Sequence, residues 1–445
     1  MRSTRTLTVV VGAIVLFVCS ACLLWQDLPG SAQGSIVNQG VKAIGADAWH
    51  VAGYDGTGVK VAVWDFSFYG YGELVGTELP PTDRLITRGF GVPIVGWPDE
   101  DPEDAAHGTA VAEVVYDIAP GATFYLIATD EDTDAHEALE WMIEEKIDVV
   151  VASISVEGWC LDEGTSPFEP VFRRLREARV LLIAASGNDG LSHWQGPFTD
   201  ADGDDLHEFH TGEEELYVEL YRDEVIDTYL QWGDPCRPSS TDLVFRIVDD
   251  LGNVIAESDY DSALDGPFED LYAEVPYDGL YRFEIERFSG PKDVFLDLIW
   301  PNGPPFEDPI EAGSISYYEP AVSQHVLTVG SINWNTFELE STSSRGPTKD
   351  GRIKPDLVAP TCLITASYGG IRTEYREEDC AFGGTSAAAP VVAGAAALVK
   401  QAFPAFTADQ VQAYLEEHAI DMGAPGKDNV YGAGRLLLPT PPSSS

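Results

Sequence analysis

Four side chains in this 445-residue chain have the types and settings from which nucleophilic acyl chemistry is built: Asp65, His107, Asn188 and Ser386. Ser386 lies in Gly383-Gly384-Thr385-Ser386-Ala387-Ala388-Ala389-Pro390, a hydroxyl on a glycine turn ahead of a small, apolar run that reaches Val399. With nothing charged before Lys400, the run predicts a helix packed on every side. A serine at its N-terminus would have unpaired backbone N–H groups and the positive end of the helix dipole beside it, both suited to an oxyanion. Pro390 is expected in the first turn, where a missing N–H costs little. An alcohol is a weak nucleophile until a base takes its proton, and His107 is the candidate base. Asp65 could orient the imidazole, and the Asn188 amide could donate to a tetrahedral oxyanion. Taken singly, Asp65 and His107 also read as a turn and a cap residue, and Asn188 as a left-handed turn.

The elements that must position these residues follow from hydrophobic periodicity. Val59 to Asp65 is nearly continuously apolar and predicts a strand buried on both faces, with Asp65 at its carboxyl end, where open α/β sheets place their sites. Val111, Val114, Val115 and Ile118 have the spacing of a core-facing helix that His107 begins and Pro120-Gly121 ends. Strands are expected at 122–129, 147–155, 179–185 and 324–331, and helices at 41–49, 134–146 and 168–178. Thr407-Ala408-Asp409-Gln410 has the capping-box pattern of a further helix. This alternation predicts an α/β fold with a doubly wound, mostly parallel sheet. His325 reads as a strand-edge residue.

Gly384-Thr385-Ser386-Ala387-Ala388-Ala389-Pro390 resembles the nucleophile motif of the subtilisin-like serine proteases, the subtilase family. His107-Gly108-Thr109 and Ala185-Ser186-Gly187-Asn188 resemble that family's histidine and oxyanion-hole segments, and the order Asp65, His107, Asn188, Ser386 is the family's order. Ser343 to Pro347 and Lys354 to Pro360 are similar to it as well. The resemblance implies a serine endopeptidase acting on protein or peptide substrates. It implies a subtilisin-like domain over residues 35–190 and 319–437, and a substrate cleft flanked by Ser153, Ser155, Ala185 and Gly187. Val156-Glu157-Gly158 replaces the small residues usual after such a serine, and Glu157 either selects basic side chains or faces solvent. Val391 stands where the family often has His, and the stretch between Ser31 and Ile44 leaves no room for the usual folding propeptide.

Between 191 and 318 the pattern changes to short aromatic strands with hairpin-type turns, which predicts an inserted all-β sandwich domain. Much of the acidic excess falls there. Asp200, Asp202 and Asp204 have the density of a calcium loop without the length or terminal Glu of an EF-hand, so calcium and a plain acidic turn both remain readings. Across the chain, 74 acids against 26 bases give a net charge of −48, which disfavours nucleic acid as a partner. Apolar content of 44% excludes a disordered chain. A monomer is expected.

Residues 1–32 read as an export signal, with a membrane anchor and a lipid-attachment box around Cys22 as alternatives, which predicts an extracellular or cell-surface protein. Outside that segment, Cys160, Cys236, Cys362 and Cys380 allow three pairings, of which Cys362–Cys380 with Cys160–Cys236 is preferred over free thiols. Residues 438–445 are Pro/Ser-rich and read as a disordered tail. The contrasting functional reading is a catalytically silent protein whose acidic module binds calcium or a cell surface.

Overall fold

Successive residues on the strand Lys60–Asp65 face opposite ways, and the two sets have different surroundings. Val61 and Val63 join one fully apolar cluster; Ala62 and Trp64 join another on the far side of the sheet. The structure, a computed structural model, describes residues 36–97, 105–129, 132–157, 166–234, 239–262, 266–315, 318–368 and 380–443. The expected export segment, the Glu157 side chain and the Cys160–Cys236 pairing lie outside the described residues. Ile36–Ser445 forms one compact unit.

Seven parallel strands make the main sheet, in the spatial order Leu357–Thr361, Leu327–Asn333, Leu181–Ala185, Val149–Ala152, Lys60–Asp65, Thr123–Thr129 and Leu85–Phe90. Its order is that of a doubly wound sheet: from Lys60–Asp65 the chain goes to the edge strand Leu85–Phe90 and back to Thr123–Thr129, then crosses to the other side and moves outward from Val149–Ala152 to Leu357–Thr361. The helices His107–Ile118 and Gly384–Ala402 cover one face and cross closely, since a Cβ on Gly394 would stand 2.6 Å from Ile118 Cβ. Asp132–Glu144 and Glu169–Glu177 cover the other face.

Several expectations change in detail. The strand expected over 147–155 is Val149–Ala152, and Val156–Glu157 instead pairs antiparallel with Tyr318–Glu319. The helix expected over 41–49 is split at Gly45, whose φ of 78° breaks it into Gly40–Ala43 and Ala46–Val51. Pro390 is the seventh residue of its helix, beyond the first turn, because the helix begins at Gly384. The supposed tail is held as far as Pro439: Leu438 N–H donates to Ile44 O at 2.9 Å, and Trp49 Nε1 to Pro439 O at 2.8 Å. Thr407 and Gln410 form the expected capping box. Lys354-Pro355-Asp356 is explained by a buried ion pair of 2.7 Å, with Lys354 Nζ also donating to Val326 O.

Between residues 191 and 318 lie two four-stranded antiparallel sheets. One contains Leu216–Leu220, Asp242–Asp249, Val254–Ser258 and Gly279–Ser289; the other His193–Pro197, Val225–Trp232, Phe268–Glu274 and Phe295–Ile299. Leu216, Phe245 and Phe283 of the first share one apolar cluster with Leu230, Leu271 and Leu298 of the second.

The His107–Ile118 helix carries two features that set its stability. At its start, Gly108 packs so tightly that a Cβ would stand 2.4 Å from Ser67 O and 2.7 Å from Asp65 Cβ. Further in, Glu113 accepts from Ala366 N–H at 2.5 Å and Ser367 N–H at 3.1 Å, and burial pushes its carboxyl up from 4.5 to about 7. Asp117, one turn on, is raised to about 7 by the same burial.

Gly108→Ala is expected to cost about 1–3 kcal/mol by overpacking, read as a lower urea midpoint; an unchanged midpoint contradicts this close contact. For Glu113 the folded state holds its proton more tightly than the unfolded chain, so its stabilising contribution is complete below about pH 4.5 and lost as pH rises through about 7. Glu113→Gln should therefore reduce the loss of stability between pH 5 and pH 8 by on the order of 1–3 kcal/mol. Urea titrations at the two pH values that show the wild-type slope in the variant would refute it.

Candidate active site

The carboxyl ends of the central strands and the N-termini of the two helices on one face converge on a single cleft. Asp65, the last residue of its strand, is fully buried. Both its oxygens lie 3.0 Å from His107 Nδ1, and Oδ1 also accepts from Phe66 N–H at 2.9 Å. This bond fixes the Nδ1–H tautomer and leaves Nε2 as the ring's acceptor. The His107 side chain is 27% exposed, so the ring bridges a buried carboxylate and an open cleft. Phe382 meets it edge-on, with ring centroids 5.7 Å apart.

Phe382 is itself held by the chain around the disulfide. Cys362 and Cys380 are bonded, and Leu363 and Phe382 exchange backbone hydrogen bonds of 2.8 and 2.9 Å beside it. Of the two expected pairings this is the one within the described residues.

Ser386 is the third residue of its helix, so its N–H is among those with no acceptor inside the helix. Its hydroxyl donates to Ser153 O at 3.3 Å, and Ser153 Oγ donates to Ser386 O at 2.9 Å. The second bond has a covalent origin. Pro390 stands four residues on and has no N–H, so the Ser386 carbonyl lacks its helical donor and Ser153 supplies one. The proline that sequence reasoning placed in the first turn thus ties the serine to the strand end carrying Ser153.

Asn188 lies just beyond the strand Leu181–Ala185. Its Oδ1 accepts from Thr385 N–H at 2.9 Å and Thr385 Oγ1 at 3.1 Å, and its Nδ2 donates to Asn302 Oδ1 at 3.1 Å. Gly384 makes room for this amide: its φ is 68°, and a Cβ there would stand 2.7 Å from Asn188 Oδ1.

The cleft has a volume of about 500 Å³, and His107, Ser153, Ser155, Ala185, Gly187, Asn188 and Ser386 all line it. Every residue expected to flank a substrate is therefore at one place with His107 and Ser386, which lie nearly three hundred positions apart in the chain. Sequence reasoning missed Phe66, Pro301, Asn302, Tyr368 and Phe382, which also line it. The left-handed Asn302 in Pro301-Asn302-Gly303 had a signal, a turn tripeptide directly after an apolar strand, but nothing in the pattern said which surface it would meet.

Asp200, Asp202 and Asp204 also come together, with one carboxylate oxygen from each within 4.8 Å of the others. Lys292 pairs with Asp200 and holds its carboxyl below the usual range. The ammonium supplies a countercharge to Asp200 and, at 3.3 Å, to Asp205.

The Subtilase family model matches residues 303–434, a segment that contains Ser386. Serine protease AprX of Bacillus subtilis is 35% identical over 131 residues, 26% of this chain and 29% of that protein. An extracellular serine protease of Serratia marcescens is 31% identical over 137 residues, 28% of this chain and 13% of that protein. The chain thus spans less than a third of the length of these two relatives. The solved structure of the Clostridium perfringens CspB protease is similar in fold, with a TM-score of 0.60 over 89% of this chain and 97% of that one, at 18% identity. Residues 303–434 thus carry the match to the Subtilase family, and the likeness to the CspB protease extends over most of the chain as one of fold.

Proposed function

We propose that the chain is a serine endopeptidase in which Asp65, His107 and Ser386 form the catalytic triad and Asn188 the oxyanion donor. The observation that carries this reading is the Asp65–His107 bond, with both carboxylate oxygens 3.0 Å from Nδ1, at the edge of the cleft that Ser386 and Asn188 line. The family match covers neither Asp65, His107 nor Asn188, so their roles rest on this geometry.

The reaction follows from the donor and acceptor at each atom. Ser386 Oγ turns from the Ser153 carbonyl toward His107 Nε2, which takes its proton as Oγ bonds to the substrate carbonyl carbon. The negative charge that develops on the carbonyl oxygen meets the Asn188 amide and the Ser386 N–H. Asp65 stabilises the imidazolium without accepting its proton. Collapse of the intermediate breaks the C–N bond, and His107 passes the proton to the leaving amine. Water, deprotonated by the same nitrogen, then adds to the acyl carbon, and His107 returns the proton to Ser386 Oγ as the ester bond breaks and the acid leaves.

Substrates are protein or peptide segments lying extended along Ser153, Ser155, Ala185 and Gly187. Residues 191–318 are assigned to an inserted β-sandwich, a reading supported by the apolar cluster shared by the two antiparallel sheets. Calcium has at most a structural place, at Asp200, Asp202 and Asp204, where it would replace Lys292 as the countercharge of Asp200. Export is supported by the Cys362–Cys380 disulfide and by the apolar stretch 6–26.

Ser386→Ala is expected to abolish cleavage of a peptide library while keeping the wild-type circular dichroism spectrum. Asp65→Asn should lower kcat by roughly 10⁴, because an amide in place of the carboxylate favours the wrong imidazole tautomer and leaves the imidazolium unstabilised. Wild-type turnover in the Ser386 variant would exclude this serine as the nucleophile.

A further inference from the structure

We propose that Asn302 is a positioning residue of the oxyanion site, orienting the Asn188 amide so that its second N–H faces the cleft. The inference rests on the peptidase reading above and extends it to a residue outside the four expected ones. A primary amide carries two N–H bonds in one plane, and its terminal torsion is broad unless both ends are held. Here both are held. Thr385 N–H can only donate, so the end of Asn188 that it meets at 2.9 Å is the oxygen. The nitrogen end therefore points the other way, and one of its N–H bonds is committed to Asn302 Oδ1 at 3.1 Å. Planarity then fixes the direction of the remaining N–H, and oxyanion donors act only when aimed in advance.

Asn302 is itself held by groups that do not belong to the proposed triad. Its backbone N–H donates to Asp189 Oδ1 at 2.9 Å. Asp189 is 1% exposed, and Ser344 Oγ both accepts from its N–H at 3.0 Å and donates to its Oδ2 at 3.2 Å. Two residues before Asn302, the buried Trp300 sits in the apolar cluster of the antiparallel sheets and donates its backbone N–H to Ser192 O at 2.9 Å. Gly303 closes the turn on Trp300 O at 2.9 Å, and a Cβ there would stand 2.2 Å from the indole Cγ. Asn302 has a φ of 52°, a left-handed conformation open to Asn and Gly at little cost. A turn so constrained places one side-chain acceptor at the cleft rim, against one amide. The antiparallel region thus reaches the reacting centre through Asn302.

Asn302→Gly keeps the left-handed turn and removes the acceptor, and Asn302→Ala removes it at a different backbone cost. Agreement between the two assigns the effect to the side chain. For peptide cleavage, kcat should fall roughly tenfold in both with KM unchanged, a part of what loss of the donor itself would cost. In an Asn188→Ala background the Asn302 substitutions should have no further effect. A wild-type kcat in Asn302→Gly, a loss expressed in KM, or a tenfold loss that persists without the Asn188 amide would each overturn the proposal. Fluorophosphonate titration of the wild-type protein separates the two levels. An unlabelled Ser386 overturns both the peptidase reading and this one, whereas full labelling leaves the Asn302 variants to decide alone.

Discussion

A carboxylate with no access to solvent is tolerable only when hydrogen bonds replace its water, and Asp65 meets that demand with the His107 ring and the Phe66 N–H. Much of the unit is arranged so that this pairing can occur. Parallel neighbours on both sides bury the strand that ends in Asp65, and the His107–Ile118 helix must start within reach of that end. Gly108 allows the approach by having no side chain to separate helix from strand. Gly394 allows the Ser386 helix to press against Ile118 from the other side, which brings the serine to the same cleft.

The second constraint is backbone satisfaction at the start of the Ser386 helix. Glycine, threonine and proline there have separable consequences. Gly384 leaves space for the Asn188 amide, Thr385 fixes its oxygen end, and Pro390 frees the Ser386 carbonyl for Ser153. A serine between these contacts has little freedom except rotation of its own hydroxyl. The antiparallel sheets add a third influence through Asn302, whose Oδ1 accepts from the Asn188 amide.

The sequence was most readable where one physical signal dominated. Continuous apolar runs marked the buried strands at Val59 to Asp65 and at Leu181–Ala185, and the capping pattern at Thr407 marked a helix start. It was less readable where two signals competed. His193–Pro197 contains Gly and Pro, and in Phe268–Glu274 the adjacent acids Glu269 and Asp270 break the alternation, so neither stood out as a strand, yet each completes an edge of one sheet. Pro390 looked like a first-turn proline because the helix start is set by Gly383 and Gly384 rather than by the proline. Leu438 and Pro439 looked like tail because their partners, Ile44 and Trp49, are almost four hundred residues away. Asn302 belongs to the same class: its importance depends on which residue it meets, and local pattern carries no such information.

The proposed reaction depends on activation of Ser386 by the His107 that Asp65 holds. Fluorophosphonate labelling followed by peptide mass spectrometry examines that link without knowledge of any natural substrate. The expected result is a single phosphonylated residue, Ser386, in the wild-type protein, and labelling slowed by at least roughly 10³ in a folded His107→Ala variant. Labelling of Ser386 at the same rate in both proteins, or none in the folded wild type, would contradict it.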